Sequence, residues 1–334
     1  MNVPHLIITS IYRPNPIMQA LAQGASSNGW KLIIVGDTAS PVDFQLPGAQ
    51  FLSIDAQKST GLRFAEACPL RHYARKNIGY LLAAQQQAPL IIETDDDNMP
   101  KPAFFKERGR HQIAPVARGT GWTNVYRYFY DGVLWPRGLP LDEIKNAPPE
   151  YETLENTSVD CPIQQGLADN NPDVDAIYRL ALPLPIQFSD SRQVALGLES
   201  WCPFNSQNTT WWPDAYPLLY LPAYCSFRMT DIWRSLIAQR IAWENNWHIL
   251  FHEATVAQDR NDHDLMKDFL DEIPGYLNNR RIAETLMSLP IKPSVEAVPD
   301  NLRLSYEALS KMGLVGSGEL ALLEAWLEDL RTGK

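Results

Sequence analysis

The sequence predicts an α/β protein built on an open, largely parallel sheet, and three observations carry that prediction. Short apolar runs alternate with stretches of helical periodicity through roughly the first hundred residues, the βαβ pattern of parallel strands joined by crossover helices. Several of these runs end in an acidic residue, among them Asp37, Asp55 and the triplet Asp95, Asp96 and Asp97. The chain has 334 residues, 45% of them hydrophobic and 20% charged, enough for one large domain or two modest ones with an ample core.

Taken in order, "HLIITSIY" reads as the first strand, followed by "NPIMQALAQGASSNGW", whose apolar residues fall at helical spacing. "KLIIVGD" is a second buried strand closing on Asp37, and "GAQFLSID" a third closing on Asp55. "PLRHYARKNIGYLLAAQQQ" reads as a helix, with Pro69 at its start and an apolar face through Tyr73, Ile78, Leu81 and Leu82. "PLIIETDDDN" is the fourth strand. From about residue 100 to 225 the chain is rich in Pro, Trp, Tyr and Asn, as in "PFNSQNTTWWPDAYPLLYLP", with short β-like pieces between turn signals. Such a stretch is either irregular packing or a surface for a hydroxyl-rich ligand, with Trp211, Trp212 and Asp214 as the sugar-binding candidates. "TDIWRSLIAQRIAWENNW" is a helix with Trp233, Leu236, Ile237 and Ile241 on one face and Thr230 as its N-cap. Two further helical stretches form a small C-terminal appendage that either covers the core or pairs between chains. The expected division is a domain over 1–280, its halves meeting at 100/101, and a helical extension over 281–334.

Bulk chemistry narrows the function. The formal net charge of −10 argues against nucleic acid as a partner, since phosphate-backbone binders carry a basic surplus. No apolar run approaches the ~20 residues that span a bilayer, and nothing at the start resembles a signal peptide. The four cysteines form no CxxC pair. The expectation is a soluble, cytoplasmic protein with unpaired thiols.

The acidic triplet is where chemistry is expected. Asp95 and Asp97 form a D-x-D arrangement at a strand end, where alternate side chains point the same way. It is either a solvated loop or a site for a hard divalent cation that leaves positions open for other oxygen ligands. Arg71 and Arg75, one helical turn apart and with Lys76 beside them, form either a solvated basic face or an anion site. His263 in "RNDHD", flanked by Asp262 and Asp264, is either structural or the third protein ligand to Mn²⁺ or Mg²⁺. Asp231 either completes a helix N-terminus or serves as a general base, kept ionised by Arg228 and Arg234.

The blocks "ARKNIGYLLA", "IIETDDDN", "NPDVDAIYRL", "PFNSQNTTWWPDA", "PAYCSFRMTDIWRSLIAQR" and "RNDHDLMKDF", in this order, resemble the glycosyltransferase-like domain of the plant STELLO proteins over roughly residues 5 to 280. Through "KN", "DDD" and "PDVDA" the chain also resembles, more distantly, the reversibly glycosylated polypeptides, the UDP-arabinopyranose mutase family. The resemblance implies a GT-A fold, a Rossmann-like mixed sheet flanked by helices that binds a nucleotide-diphospho-sugar. Asp95, Asp96 and Asp97 match the family's acidic motif, Asp37 the position near the nucleotide base, and Arg75, Lys76 and Asn77 the block before the metal strand. Arg71, Arg75 and Lys76 would hold the diphosphate or donor sugar. "RNDHD" matches the distal block, and Asp231 the acidic residue opening the acceptor-side helix. The implied activity is metal-dependent glycosyl transfer to a glycan or other hydroxyl acceptor. A nucleotide-sugar mutase, or a non-catalytic nucleotide-sugar-binding protein, are its rivals. The plant proteins are membrane-anchored and this chain shows no anchor, so their cellulose-related role is not carried over.

Overall fold

The computed structural model describes residues 2–189, 191–261 and 263–332. Its first half follows the sequence pattern: β1 (His5–Thr9), α1 (Pro16–Ser27), β2 (Lys31–Val35), β3 (Ala49–Leu52), α2 (Ile54–Lys58), α3 (Arg63–Ala67), α4 (Lys76–Gln85) and β4 (Ile91–Thr94). β1 lies between β2 and β4, parallel to both, and β3 is parallel to β2, so these four strands end at the same edge. Alternation along each strand divides the apolar side chains between two layers. Ile7, Ile33 and Ile91 join the larger core cluster with Ile78 and Leu81 of α4, whereas Leu6, Ile8, Leu32 and Ile92 pack with Met18 and Leu21 of α1. A Cβ at Gly79 would lie 2.6 Å from the Ile7 side chain, so glycine lets α4 approach the sheet closely.

One local expectation is overturned. The helix read over 69–87 starts only at Lys76, after a single 3₁₀ turn at Tyr73–Arg75. Arg71 has φ 56°, which breaks any helix begun at Pro69. The backbone N–H of His72 donates to Asp37, and the His72 ring caps Ala74, so tertiary hydrogen bonds fix this turn. Arg71 and Arg75 consequently do not share a helical face.

The second half contains β5 (Asn98–Pro100), β6 (His111–Ala117), β7 (Gly121–Trp122), β8 (Glu155–Asp169), α5 (Ala176–Ala181), β9 (Gln193–Leu196), β10 (Ser200–Trp201), β11 (Asn208–Trp211), α6 (Thr230–Glu244), β12 (Trp247–Gln258), α7 (Leu265–Ser288), α8 (Val298–Lys311) and α9 (Glu319–Thr332). Among the described residues, ten strands form one mixed sheet in the order β3-β2-β1-β4-β11-β8-β6-β9-β12-β5, with β8 also paired to β12. This mixed sheet flanked by helices fits the GT-A-like architecture that the resemblance implies. The 15-residue β8 was not legible as a strand, because its buried half carries Gln164 and Gln165 where a core strand would show apolar residues. Both glutamines are satisfied by backbone carbonyls, those of Gly109 and Gly166.

The C-terminal helices cover the core. Tyr306 of α8 and Leu322 and Trp326 of α9 belong to the same cluster as α4 and α6. Carboxylates clip them in place: Asp329 accepts the backbone N–H groups of Arg63 and Phe64, and Glu319 those of Ala223 and Tyr224. The division expected at residue 280 falls inside α7. Among the described residues no helix is long and apolar enough to cross a membrane.

Trp326 is 0% exposed, meets the Phe64 ring edge-on at 6.1 Å and donates its indole N–H to Pro217 at 3.1 Å. Trp326→Ala is expected to cost about 3–5 kcal/mol, read as a fall in the urea midpoint. An unchanged midpoint would mean that the C-terminal helices fold apart from the core.

Candidate active-site cleft

A cleft of about 530 Å³ opens at the carboxyl edge of the parallel strands, where open α/β sheets place their ligands. Its floor is set by residues just beyond β1, β2 and β4, and its far wall by residues before β11, at the start of α6 and at the end of β12.

At one end stands Asp37, directly after β2. Its carboxylate accepts the backbone N–H groups of Thr38, at 2.6 Å, and His72, at 3.0 Å, and so holds the 71–72 turn against the strand end. Arg71 is exposed on that turn, its Nε 3.4 Å from the Thr38 hydroxyl. Because His72 Nδ1 accepts the Ala74 N–H, the neutral ring carries its proton on Nε2. Burial lowers the His72 pKa despite the nearby Asp37 charge, which favours that neutral form. Apolar Ile11, Tyr12 and Phe227 complete the walls.

The acidic triplet forms the turn between β4 and β5, and all three carboxylates line the cleft. Asp95 Oδ1 accepts hydrogen bonds from the Tyr73 hydroxyl, at 2.8 Å, and the Lys76 ammonium, at 2.9 Å. Asp96 accepts the Ser10 hydroxyl, and its backbone carbonyl accepts the side-chain amide of Asn15, the N-cap of α1. Asp97 Oδ2 accepts Gln258 Nε2 at 3.2 Å, while Asp97 Oδ1 is buried with no hydrogen-bond partner. Burial pushes Asp96 up to about 6, the Ser10 bond opposing it and Asp95 adding to it. Burial, then the Asp95 charge, push Asp97 up to about 7. Three carboxylates are thus confined with one oxygen unsatisfied, an arrangement that a hard cation relieves. Among the described residues no three of His, Cys, Asp and Glu gather as a metal cage. The expected set of Asp95, Asp97 and His263 is therefore not assembled. His263 lines the cleft, but its Nδ1 is turned to Asp268 at 3.2 Å. Asp262 lies outside the described residues.

Two expected anion ligands are occupied elsewhere. Lys76 is 0% exposed, and its ammonium serves Thr94 O, Asp95, Tyr73 and Ser206 O. Arg75, 2% exposed, reaches the cleft wall but spends its N–H groups on Gln57 and on the carbonyls of Cys68 and Ala65. Both fasten the site rather than leave charge for a ligand.

The acceptor candidates need correction as well. β11 runs antiparallel to β4 with Asn208 beside Thr94 and Trp211 beside Ile91, so it leads away from the carboxyl edge. Trp211 is fully buried with its indole N–H on Glu93, and Asp214 pairs with Arg110. Trp211, Trp212 and Asp214 line no part of the cleft; Asn205, Ser206 and Gln207, at the other end of the same block, do. Arg228 does line it, with Nε on Glu272 at 3.0 Å.

Asp231 is 8% exposed at the start of α6. Helix α6 takes Met229, not Thr230, as its N-cap. Both Asp231 oxygens face the Arg137 guanidinium, at 3.1 and 2.9 Å, and Oδ2 also accepts the Ser206 backbone N–H. Burial raises its pKa, but the Arg137 charge and hydrogen bonds outweigh that and bring it down to about 2. A carboxylate so weakly basic and so fully bonded is an anchor for Arg137 and the 205–207 loop, not the general base expected of it. Arg137 also grips Asp173, at 2.8 Å. The sequence reading passed over Arg137, Asp173, His72 and Gln258 as site residues, although "NPDVDAIYRL" contains Asp173.

The depressed Asp231 pKa makes a stability prediction. Its contribution is present above the unfolded value of 3.8 and is lost as pH falls toward the folded value of about 2. Asp231→Asn is therefore expected to flatten the acid limb of stability between those values, removing about 2 kcal/mol of pH dependence, measured by urea denaturation at stepped pH. An acid limb identical to wild type would show that the ion pair contributes nothing there.

With this geometry in place, comparisons with known proteins are informative. Residues 228–333 match the family described as STELLO glycosyltransferases. The chain is 28% identical over 326 residues to "Probable glycosyltransferase STELLO1" of Arabidopsis thaliana, and 29% identical over 326 residues to "Probable glycosyltransferase STELLO2" of the same plant. Each alignment takes in 90% of this chain and 41% of the relative, so the chain spans about two fifths of those proteins. A mycobacterial protein of solved structure aligns at a TM-score of 0.38 and 9% identity, over 83% of this chain and 74% of its own, a likeness too slight to bear on the fold. The likeness to the STELLO glycosyltransferases holds along nine-tenths of the chain, and that family's own model matches its C-terminal third.

Proposed function

We propose that the chain is a divalent-cation-dependent glycosyltransferase, moving a hexose or pentose from a nucleoside-diphosphate donor to a hydroxyl of a glycan or similar acceptor. The observation that carries this reading is the acidic turn at the carboxyl end of β4, three carboxylates facing one cleft with a buried oxygen of Asp97 unpartnered. Asp95 and Asp97 are the residues that would hold Mn²⁺ or Mg²⁺, since an all-oxygen set suits a hard cation. Bound there, such an ion would stabilise the charge that develops on the departing diphosphate.

The chain's own residues divide the remaining tasks. Asp37 and the Nε2–H of His72 offer an acceptor and a donor to the nucleoside, and Tyr12 and Ile11 offer it apolar surface. Arg71 is the exposed cation on that side, placed to meet phosphate charge. Asn205, Ser206 and Gln207 present amides and a hydroxyl to sugar hydroxyls, and Phe227 an apolar face. An inverting transfer needs a group to take the acceptor's proton. Asp268 is held well below the usual carboxylate range: burial opposes this, but the His263 bond and the Arg228 charge prevail. Its carboxylate faces His263 Nδ1 at 3.2 Å and orients the ring, and His263, which lines the cleft, is the residue we assign to take that proton. The four cysteines are free, which fits the reducing cytoplasmic setting proposed for the reaction.

Calorimetric titration with nucleoside diphosphates, with Mn²⁺ and with chelator, tests the assignment. At least one is expected to bind more than tenfold tighter with Mn²⁺, and Asp97→Ala to abolish that difference. Asp97→Ala is also expected to melt no lower than wild type without metal, because it removes a crowded carboxylate. Equal affinities with and without metal would defeat the reading. His263→Gln is expected to lower kcat about 10²–10⁴-fold while leaving donor affinity unchanged. Interconversion of sugar ring forms by enzyme and donor alone, seen by NMR, would identify a mutase instead.

A further inference from the structure

The acidic turn has a companion on the opposite wall. β12 ends at Gln258, which pairs with Asn98 of β5, directly beyond the triplet. Gln258 is 7% exposed and lines the cleft. Its Nε2 donates to Asp97 Oδ2 at 3.2 Å. An amide has one donor end and one acceptor end, and against a carboxylate only the donor end is tolerated, so this contact fixes which way the side chain is turned. The amide oxygen then faces away from Asp97 Oδ2, and it is buried without a hydrogen-bond donor. Asp97 Oδ1, on the other side of the same contact, is in the same state.

Two buried acceptors therefore lie beside one hydrogen bond, each lacking a partner that a buried polar atom needs. Asp95 and Asp96 add further negative charge beside them, so a positive ion answers the need better than a neutral donor. Among the described residues no third His, Cys, Asp or Glu joins Asp95 and Asp97, and His263 Nδ1 is committed to Asp268. Among the described residues a third protein ligand is then of another residue type, and a glutamine carbonyl is an accepted oxygen donor to hard cations. Being neutral, it adds no charge to the three carboxylates already gathered at the turn.

We propose that Gln258 is a third protein ligand, through its amide oxygen, to the divalent cation assigned to Asp95 and Asp97, while its amide N–H orients Asp97. This rests on the metal-dependent reading above. It makes the end of β12 part of the metal centre and leaves His263 free for proton transfer.

The test is Mn²⁺ binding by the full chain without nucleotide, followed by EPR titration and by ¹³C ENDOR on protein carrying [5-¹³C]glutamine. Wild type is expected to show a ¹³C coupling of the size given by a carbonyl carbon one bond from a ligand oxygen, absent from Gln258→Leu. Gln258→Leu is expected to weaken Mn²⁺ at least about tenfold, and Gln258→Glu, which restores an oxygen, to recover part of that affinity. If wild type binds Mn²⁺, Asp97→Ala abolishes binding and the glutamine coupling is missing, Gln258 only orients Asp97 and the proposal falls alone. If wild type binds no divalent cation here but Mn²⁺ still tightens nucleoside-diphosphate binding, the proposal falls alone; if Mn²⁺ does neither, the proposal and the metal-dependent reading fall together. The ENDOR measurement uses the native protein, so a Gln258 variant that fails to fold does not spoil it.

Discussion

The site depends on two buried cations that hold an acid-tipped strand in place. Between residues 93 and 97, β4 and its turn carry four carboxylates. Glu93 is fully buried and satisfied by the Arg234 guanidinium at 2.8 and 3.0 Å, by Trp211 and by Tyr80. Lys76 takes the next two residues, the carbonyl of Thr94 and the side chain of Asp95. Each cation also reaches across to the far wall, Arg234 to the carbonyl of Asn205 and Lys76 to that of Ser206. Burying such ions is costly unless they are paired, and here their acceptors are two carboxylates together with the backbone segments that shape the cleft. The cations thus act as fasteners: removing either would free both walls and leave a carboxylate uncompensated.

No cation contacts the next two carboxylates directly. Asp96 accepts a serine hydroxyl, and Asp97 a side-chain amide N–H, both neutral donors. The gradient from a fully paired Glu93 to a half-satisfied Asp97 runs from the core to the lining of the cleft. Across the cleft, by contrast, Arg137, Arg228 and Arg260 are matched by Asp173, Asp231, Asp268 and Glu272 in close ion pairs. The charges of that wall are largely matched within it, whereas those of the acidic turn are not. Stability given up locally in this way is characteristic of binding sites.

Much of the fold was legible because its parallel half obeys simple rules. "HLIIT", "KLIIV" and "IIET" are apolar runs that emerge as β1, β2 and β4, and the acids that follow β2 and β4, Asp37 and the triplet, do meet at one edge. What failed shares one cause, which is that the decisive partner is distant in sequence. Lys76 looks like a phosphate ligand until Ser206 is brought to it, and Asp231 looks like a base until Arg137 is. Trp211 looks like a sugar platform, but the direction of β11 beside β4 carries it to the wrong end of the sheet. Gln258 gave no signal, since a glutamine at a strand end has no spacing or charge pattern to betray it; only its unpartnered oxygen does.

The C-terminal helices bear on the site through the same fasteners. α9 lies against α3 and α4, with the Asp329 carboxylate on the backbone of α3, and α4 carries Lys76. Glu319 fixes the Tyr220–Tyr224 stretch, whose Leu221 exchanges hydrogen bonds with the Asn77 side chain, next to that lysine. A series of polar contacts, linked through the adjacent residues Asn77 and Lys76, therefore runs from α9 to the acidic turn. The segment matching the STELLO family, residues 228–333, contains these helices together with Arg234, Gln258 and His263 but not the acidic turn itself. What that segment supplies is the frame: the guanidinium that pins β4, the wall that faces the triplet, and the helices that hold the lysine in position. On this account the C-terminal helices and the half that bears the acidic turn are joined through the contacts that hold Lys76 and Arg234 in place, since Lys76 fastens Asp95 and Arg234 fastens Glu93.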